Sequence, residues 1–504
     1  HGMRKLIFTI TFSVLYTLAI AQHYDNTWLF ANSGVHAAQL KFTAGSPEID
    51  TFESSIDFVK SAAFISDSSG NLVLYTDGCH IYNADHEIVT NGNRISPGET
   101  WDNYCPFDSG YPIVSQSSLF LPWPGDANKY ILFHRAITFA LTPSGIEPRT
   151  EPLYYSIISF EGNSSGEVLS KNVILYDGSP RVKSGRMTAN KHANGIDWWI
   201  VNQLEENGGY LTYLLTESGL EGPFIQELTR IPPLDDAGMG AAVTFSSDGT
   251  KYVYHTTYNG TEIYSFDRET GELFLNDTIE NYEPLDLYIF SGAGLSPNGR
   301  FLYISDWVNV YQYDLDAVDI EASAVVLHTF TNPDSMLLAP HSQHFQLGPD
   351  CKLYNYMNSG RYIHRINQPD LPGLACDYEV NAIFLPFSAF RDQPQFPHFR
   401  LGPVGDEGSP CVEGPLSTTT VSAPTANLKV YPNPGIGPIR LFLSSGEAPA
   451  QWRLFDLQGR PLHELNLLPG QHQRVDLSDD LPIGAYLWQL VRDGQVVEMG
   501  RVVR

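Results

Sequence analysis

Three short segments bring histidine together with cationic or amide side chains: Lys191-His192-Ala-Asn194, His341-Ser-Gln-His344 and His398-Phe-Arg400. Converging imidazoles, with Lys191 and Arg400 beside them, could hold a metal ion or an anionic sugar. His341 and His344 are three apart, so on a strand they point to opposite faces and at most one can share a site with the others. The competing reading is hydrogen bonding between neighbouring strands. It carries more weight, and no metal or cofactor is expected. Asp314, Asp316 and Asp319 offer carboxylates but lack the Asp-x-Asp-x-Asp-Gly order of a calcium loop, and read as a solvated hairpin. No H-E-x-x-H pair and no P-loop occurs. Trp198 and Trp199 could stack on sugars, although adjacent strand residues face opposite ways and one belongs to the core. Asn163, Asn259 and Asn276 stand in N-x-S/T sequons.

The elements that must carry these residues are strands. Aromatic residues make up 12% of the 504 and charged residues 17%, against about 25% charged in an average domain. That balance excludes coiled-coil and disordered chains and leans towards all-β. The length suggests about three domains. The net charge of −27 repels nucleic acid, and no Lys/Arg run offsets it.

A period organises most of the chain. A short apolar strand ends in a turn such as Ser246-Ser-Asp-Gly249, Leu295-Ser-Pro-Asn-Gly299 or Leu347-Gly-Pro-Asp-Cys351, and an aromatic-rich strand follows. Such turns recur near residues 69, 125, 194, 248, 298 and 350, a spacing of 50 to 69 residues. A period near 50 with about four strands per copy predicts the blades of a β-propeller. Phe396-Pro-His-Phe-Arg-Leu401 looks like a further inner strand. Thr27–Phe30 and Ala37–Phe42 look like middle strands lacking an inner one. Joined, the two ends make a seventh blade, so residues 23–411 read as a seven-bladed propeller, with six or eight blades as the alternatives.

Five cysteines are present and none forms C-x-x-C. Sequence proximity pairs Cys79 with Cys105 and Cys351 with Cys376 in an oxidising compartment, each loop of about 25 residues contributing about 3 kcal/mol on the chain-entropy model. Cys411 is left over. His1 and Gly2 stand ahead of Met3. From there Arg4-Lys5, an apolar run from Leu6 to Ile20 and Ala19-Ile-Ala21 form a secretory signal peptide over residues 3–21. No later stretch is expected to cross a membrane.

Residues 412–426 are rich in Ser, Thr and Pro and read as a linker. Residues 427–504 alternate as short strands of a small immunoglobulin-like sandwich, with eight basic and eight acidic residues, so nearly all the negative charge lies on the propeller. Val430-Tyr431-Pro432-Asn433-Pro434, Leu454-Phe-Asp-Leu-Gln-Gly-Arg460, Pro482-Ile-Gly484-Ala-Tyr486 and Gly500-Arg-Val-Val-Arg504 occur here in order. This segment resembles the type A carboxy-terminal sorting domain of type IX secretion cargo. The resemblance implies recognition by the type IX machinery, passage through the outer membrane, and release or surface attachment. The stretches Thr76–Asn83, Lys191–Trp199, Gly348–Tyr354 and Phe399–Pro403 resemble secreted propellers found ahead of such domains, a family that supplies architecture and address but no assigned chemistry.

The expected protein is therefore a secreted or surface-attached propeller that binds a glycan or protein ligand. A polysaccharide-degrading hydrolase or lyase, and a structural surface component, are the alternatives. Fold alone does not choose among them.

Overall fold

The turns read from the sequence close hairpins in the computed structural model, and the residue types explain why. In Ser246-Ser-Asp248-Gly249, the Ser246 hydroxyl donates to Asp248 (2.5 Å), whose carboxylate accepts the Thr250 N–H (3.0 Å). Ser296 and Asn298 repeat the arrangement at 2.7 and 2.9 Å. Gly249 (φ +71°) and Gly299 (φ +66°) supply the left-handed residue each turn requires.

The structure describes residues 22–503 except 32–35, 44–46, 54–61, 108–109, 112–115, 143–144, 206–208, 229–240, 257–259, 281–290, 307, 331–343, 357–359, 390–393, 406–427, 432–438, 444–447, 456–459, 470–471, 476–484 and 493–494. The expected signal peptide (3–21), the linker (412–426), His341, Cys411 and the motif residues Pro432, Asn433, Pro434 and Gly484 lie outside the described residues.

The chain divides into two units, residues 1–414 and 415–504. In the first, the described strands form seven consecutive antiparallel sheets. Sheet I holds Thr27–Ala31, His36–Lys41 and Glu48–Glu53; sheet II holds Ala63–Ser66, Leu72–Thr76 and Ile81–Asn83. Sheet III comprises Leu119–Trp123, Asp126–Thr142, Gly145–Ser159 and Glu167–Tyr176; sheet IV comprises Thr188–Lys191, Trp198–Gln203, Tyr210–Thr216 and Gly219–Gln226. Sheet V runs Ala241–Phe245, Lys251–Thr256, Gly260–Phe266 and Leu273–Ile279; sheet VI runs Gly292–Leu295, Phe301–Ser305, Asn309–Asp314 and Val325–Thr329. Sheet VII closes the set with His344–Leu347, Leu353–Tyr356, Gly360–Ile366 and Tyr378–Ala389.

Neighbouring sheets share apolar cores. One core joins sheets II, III and IV, others join IV to V, V to VI and VI to VII, and a last joins VII to I and II through Tyr356, Trp28 and Phe64. First strands such as Ala63–Ser66 and Thr188–Lys191 are buried throughout, while the fourth strand Gly219–Gln226 is mostly exposed. First strands inside, fourth strands outside and a chain of cores returning to its start make a β-propeller. Turns between first and second strands lie at one face of the ring, and turns between second and third strands at the other.

Closure differs from the sequence expectation. Sheet I is built from the amino-terminal strands alone, and Phe396–Leu401 pairs in no ladder. The Pro394–Val404 segment touches five sheets instead. Pro394 accepts from Tyr356 (2.8 Å), the Phe396 N–H donates to Gln346 (2.9 Å), and the Phe396 ring meets Trp28 and Phe64. Phe399 packs edge-on against Trp198, Gly402 accepts from Arg268 (2.5 Å), and the Val404 N–H donates to Ala193 (2.8 Å). An eleven-residue segment reaches that many sheets only by crossing the ring axis. The ends still meet, because Arg400 forms a two-pronged ion pair with Asp25 (2.6 and 2.8 Å).

The Cys79–Cys105 disulfide is formed. The expected Cys351–Cys376 bond is not, and both thiols are free. Cys376 ends a 3-10 turn and packs in the core of Phe301 and Tyr303, while Cys351 occupies a left-handed turn position (φ +60°) in the first hairpin of sheet VII. Burial pushes the Cys376 thiol up to about 11, so it is a protonated core side chain.

The second unit contains a three-stranded sheet (Leu428–Tyr431, Ile439–Leu443, His472–Val475) and a four-stranded one (Pro461–Leu467, Ala450–Phe455, Ala485–Arg492, Gln495–Val503). Leu441 and Leu443 from the first share a core with Trp452, Leu454, Tyr486 and Trp488 from the second. Tyr431 ends its first strand and Tyr486 is buried in the core. No described helix is long and apolar enough to cross a membrane.

Candidate functional site

The histidine-bearing segments do not converge. Lys191 ends the first strand of sheet IV, with Nζ 3.3 Å from the Ile196 carbonyl and 4.0 Å from the centre of the Trp198 ring. Burial lowers its pKa to about 7, partly opposed by Asp197. Asn194 Oδ1 accepts the Ile196 and Asp197 N–H groups (2.9 and 3.0 Å), its Nδ2 donates to Asp197 (2.7 Å), and its own N–H donates to His192 Nδ1 (3.2 Å). Arg268 donates to the carbonyls of Lys191 and His192 (3.0 and 3.1 Å). These three candidates make a self-satisfied turn. Arg400 is committed to Asp25.

Among the described candidates, only His344 and His398 share a cavity, which Gln116, Thr188, Thr244 and Gln346 also line. The Gln116 side chain reaches across to bond both backbone groups of Val243 (2.8 and 2.9 Å). His398 Nε2 donates to the Phe245 carbonyl (2.9 Å). About 40 Å³ remains open to water centres, against about 10–15 Å³ needed for one water. That is room for a few waters. None of its described lining residues carries a carboxylate.

Serine–histidine pairs at catalytic spacing exist elsewhere but are sealed. His134 lies between the Ser96 and Ser156 hydroxyls (2.8 and 3.0 Å), and His255 between those of Thr261 and Ser291 (2.8 and 3.0 Å). All are buried, and the arrangement recurs on the second strands of two sheets, which marks it as structural. Gly162-Asn-Ser-Ser-Gly166 fits G-x-S-x-G spacing but is the turn between third and fourth strands of sheet III, with no helix following. Asp314 is paired by Arg300 (2.7 and 2.9 Å), and Asp319 accepts the Ala322 N–H (2.9 Å). Trp198 and Trp199 are both buried, so neither is free to stack on a ligand.

Burial lowers the pKa of His134 and His344 to about 3 each. Unfolded histidine titrates near 6.5, so the unfolded chain binds more protons between those limits. The contribution of the neutral rings is complete above pH 6.5 and falls away as pH drops from 6.5 towards 3, by about 1.4 kcal/mol per pH unit for each ring. Denaturant midpoints at pH 7, 5 and 4 are expected to fall accordingly, and His134→Gln is expected to flatten the slope. An unchanged slope in that variant contradicts this account.

One feature of the ring escaped the sequence reading. The second and third strands of sheet III stay paired as far as Thr142↔Gly145. The first strand reaches only Phe133, and the fourth stops at Leu153. From Ile137↔Thr150 onward no other described strand pairs with the hairpin, a ribbon of about 20 Å at about 3.4 Å per residue. At its foot, the Ile137 N–H donates to Tyr111 (3.0 Å), Thr100 donates to the Ile137 carbonyl, and Tyr104 meets Phe139 (6.5 Å). Thr100 and Tyr104 belong to a short helix, Glu99–Tyr104, that the Cys79–Cys105 bond fastens to sheet II. Trp101 donates to the Cys79 carbonyl (3.3 Å), and Arg94 covers its ring (4.7 Å) while pairing with Asp102 (2.8 Å). Phe139 is 43% exposed. The sequence signal was the longest step in the repeat, 69 residues between the turns near 125 and 194.

No protein-family model matches the chain, and neither does any curated protein. Solved structures do. A functionally unknown protein from Desulfotomaculum acetoxidans DSM 771 is 13% identical over 73% of this chain and 100% of its own, with a TM-score of 0.41. A putative 6-phosphogluconolactonase from Bacteroides uniformis ATCC 8492 is 12% identical over 71% and 96%, with a TM-score of 0.36. The β-propeller domain of Myceliophteria thermophila Cps50 (Swd1) is 7% identical over 66% and 93%, with a TM-score of 0.38. Likenesses this distant carry no activity over to this chain.

Proposed function

We propose that the chain is an exported seven-bladed propeller, each sheet a blade, that binds an extracellular glycan or protein ligand on the face bearing the ribbon. Its carboxy-terminal module is an immunoglobulin-like sorting domain that directs type IX secretion and leaves the propeller outside the cell or on the outer-membrane surface. The observation that carries the binding reading is the ribbon itself. It extends the backbone of one face beyond the ring, carries the exposed Phe139, and has its foot held by a helix and a disulfide. Ordered extensions on a rigid ring are where propellers recognise ligands. A disulfide forms and persists outside the reducing cytoplasm, which agrees with the signal-peptide pattern.

Export is tested in a bacterium that carries a type IX system, with the full chain and a version ending at residue 426. The full chain is expected outside the cell and the shortened one inside the periplasm. Equal export of both contradicts the sorting role.

A further inference from the structure

The turn between second and third strands of sheet II places three metal-binding side chains within four residues. Ligand atoms of Asp77, Cys79 and His80 all lie within 4.8 Å of one another. We propose that the Cys79–Cys105 bond masks a site for a zinc-class cation, which is complete only when the bond is reduced.

The turn is already shaped as a ligand set. Asp77 Oδ1 accepts the N–H groups of Cys79 (2.8 Å) and His80 (2.7 Å), which fixes the carboxylate. Its Oδ2 faces His80 Nδ1 at 3.6 Å. Two ligands held about 2.1 Å from one tetrahedral zinc stand about 3.4 Å apart, so little movement is needed. The Tyr82 hydroxyl donates to the same Oδ2 (3.1 Å), the outer contact that orients a metal ligand. Asp77 and Cys79 are buried and His80 is half-buried, so a cation enters past the imidazole.

In the oxidised chain the Cys79 sulfur is spent on Cys105 and supplies no thiolate. A dithiol reductant gives two electrons and two protons to the bond, becomes a disulfide itself, and leaves Cys79 and Cys105 as thiols. The Cys79 thiol then releases its proton to solvent as the metal–sulfur bond forms. Cys105 lies on a separate element, the turn Cys105–Phe107 after the helix, so the backbone that gives way is not the one that carries Asp77 and His80. One thiolate, one imidazole and one carboxylate select zinc or cobalt over calcium and magnesium. The reduced state exists before export, so the site belongs to the chain before its disulfide closes.

Cobalt(II) alone is the probe, with the full chain carrying Cys105→Ser so that Cys79 stays a thiol. One equivalent is expected to bind with a near-ultraviolet thiolate-to-cobalt band. The band should vanish in Cys79→Ser/Cys105→Ser, and affinity should fall at least tenfold in Cys105→Ser/His80→Ala. The oxidised native chain should give no band, and the native chain reduced by a phosphine should gain it, which covers the case in which Cys105→Ser does not fold. Absence of the band in both folded Cys105→Ser and the reduced native chain overturns the proposal. So does a band that survives Cys79→Ser/Cys105→Ser.

Discussion

Arg400→Met is expected to lower the unfolding free energy by about 3–5 kcal/mol, the cost of leaving one partner of a buried ion pair alone. Asp25 is 7% exposed and Arg400 19%, so the lower part of that range applies. The reason is topological as well as electrostatic. Asp25 precedes the first strand of sheet I, and Arg400 follows the last strand of sheet VII by eleven residues, so their pair ties the two ends of the ring. Arg400 also donates to Asn26 (2.9 Å). Asp25→Asn alone is expected to be similarly damaging, and the double variant to lose clearly less than the sum, because removing both charges leaves none stranded. Urea titrations of the four proteins decide it. A loss below about 1 kcal/mol, or strict additivity, contradicts the clasp.

Gly195→Val is expected to cost about 3 kcal/mol or more. Gly195 has φ +72°, and a Cβ there would stand 2.4 Å from the Pro403 nitrogen and 2.7 Å from the Gly402 carbonyl carbon. Both neighbours are backbone, so the axial segment has to move. About 1–3 kcal/mol comes from the left-handed backbone and about 1–3 from the overpacking. The Val404–Ala193 and Arg268–Gly402 hydrogen bonds are strained with it. Val404→Ala, exposed and without that clash, is the control. Equal stability of Gly195→Val and the native chain contradicts the placement of residues 402–404 beneath sheet IV.

The ring was legible because its signal is local. Ser-x-Asp-Gly and Ser-x-Asn-Gly turns bind their own backbone, and each announces a hairpin wherever it stands. Closure was not legible for the opposite reason. Phe396 to Leu401 alternates like a strand, but its partners are side chains and carbonyls on five distant sheets, which no short pattern records. The candidate residues failed at the same level. Asn194 and His192 have the chemistry of a site, but an asparagine inside a tight turn satisfies its own backbone first. Cys351 and Cys376 match the spacing of Cys79 and Cys105, yet Cys376 is held in a core against Tyr303. Within the ribbon the strand pattern continues past the ring without a break, so only the stretched repeat betrays it.

The most direct test of the binding face compares the full chain with a variant whose residues 138–149 are replaced by Asn-Gly, both exposed to a panel of extracellular polysaccharides and surface proteins. Mass spectrometry scores what is retained and what fragments appear. Retention by the native chain without fragments, lost in the shortened variant while its unfolding transition is kept, is the expected result. Retention that ignores the ribbon, fragments released from a polysaccharide, or no retention of any glycan or protein contradicts the account.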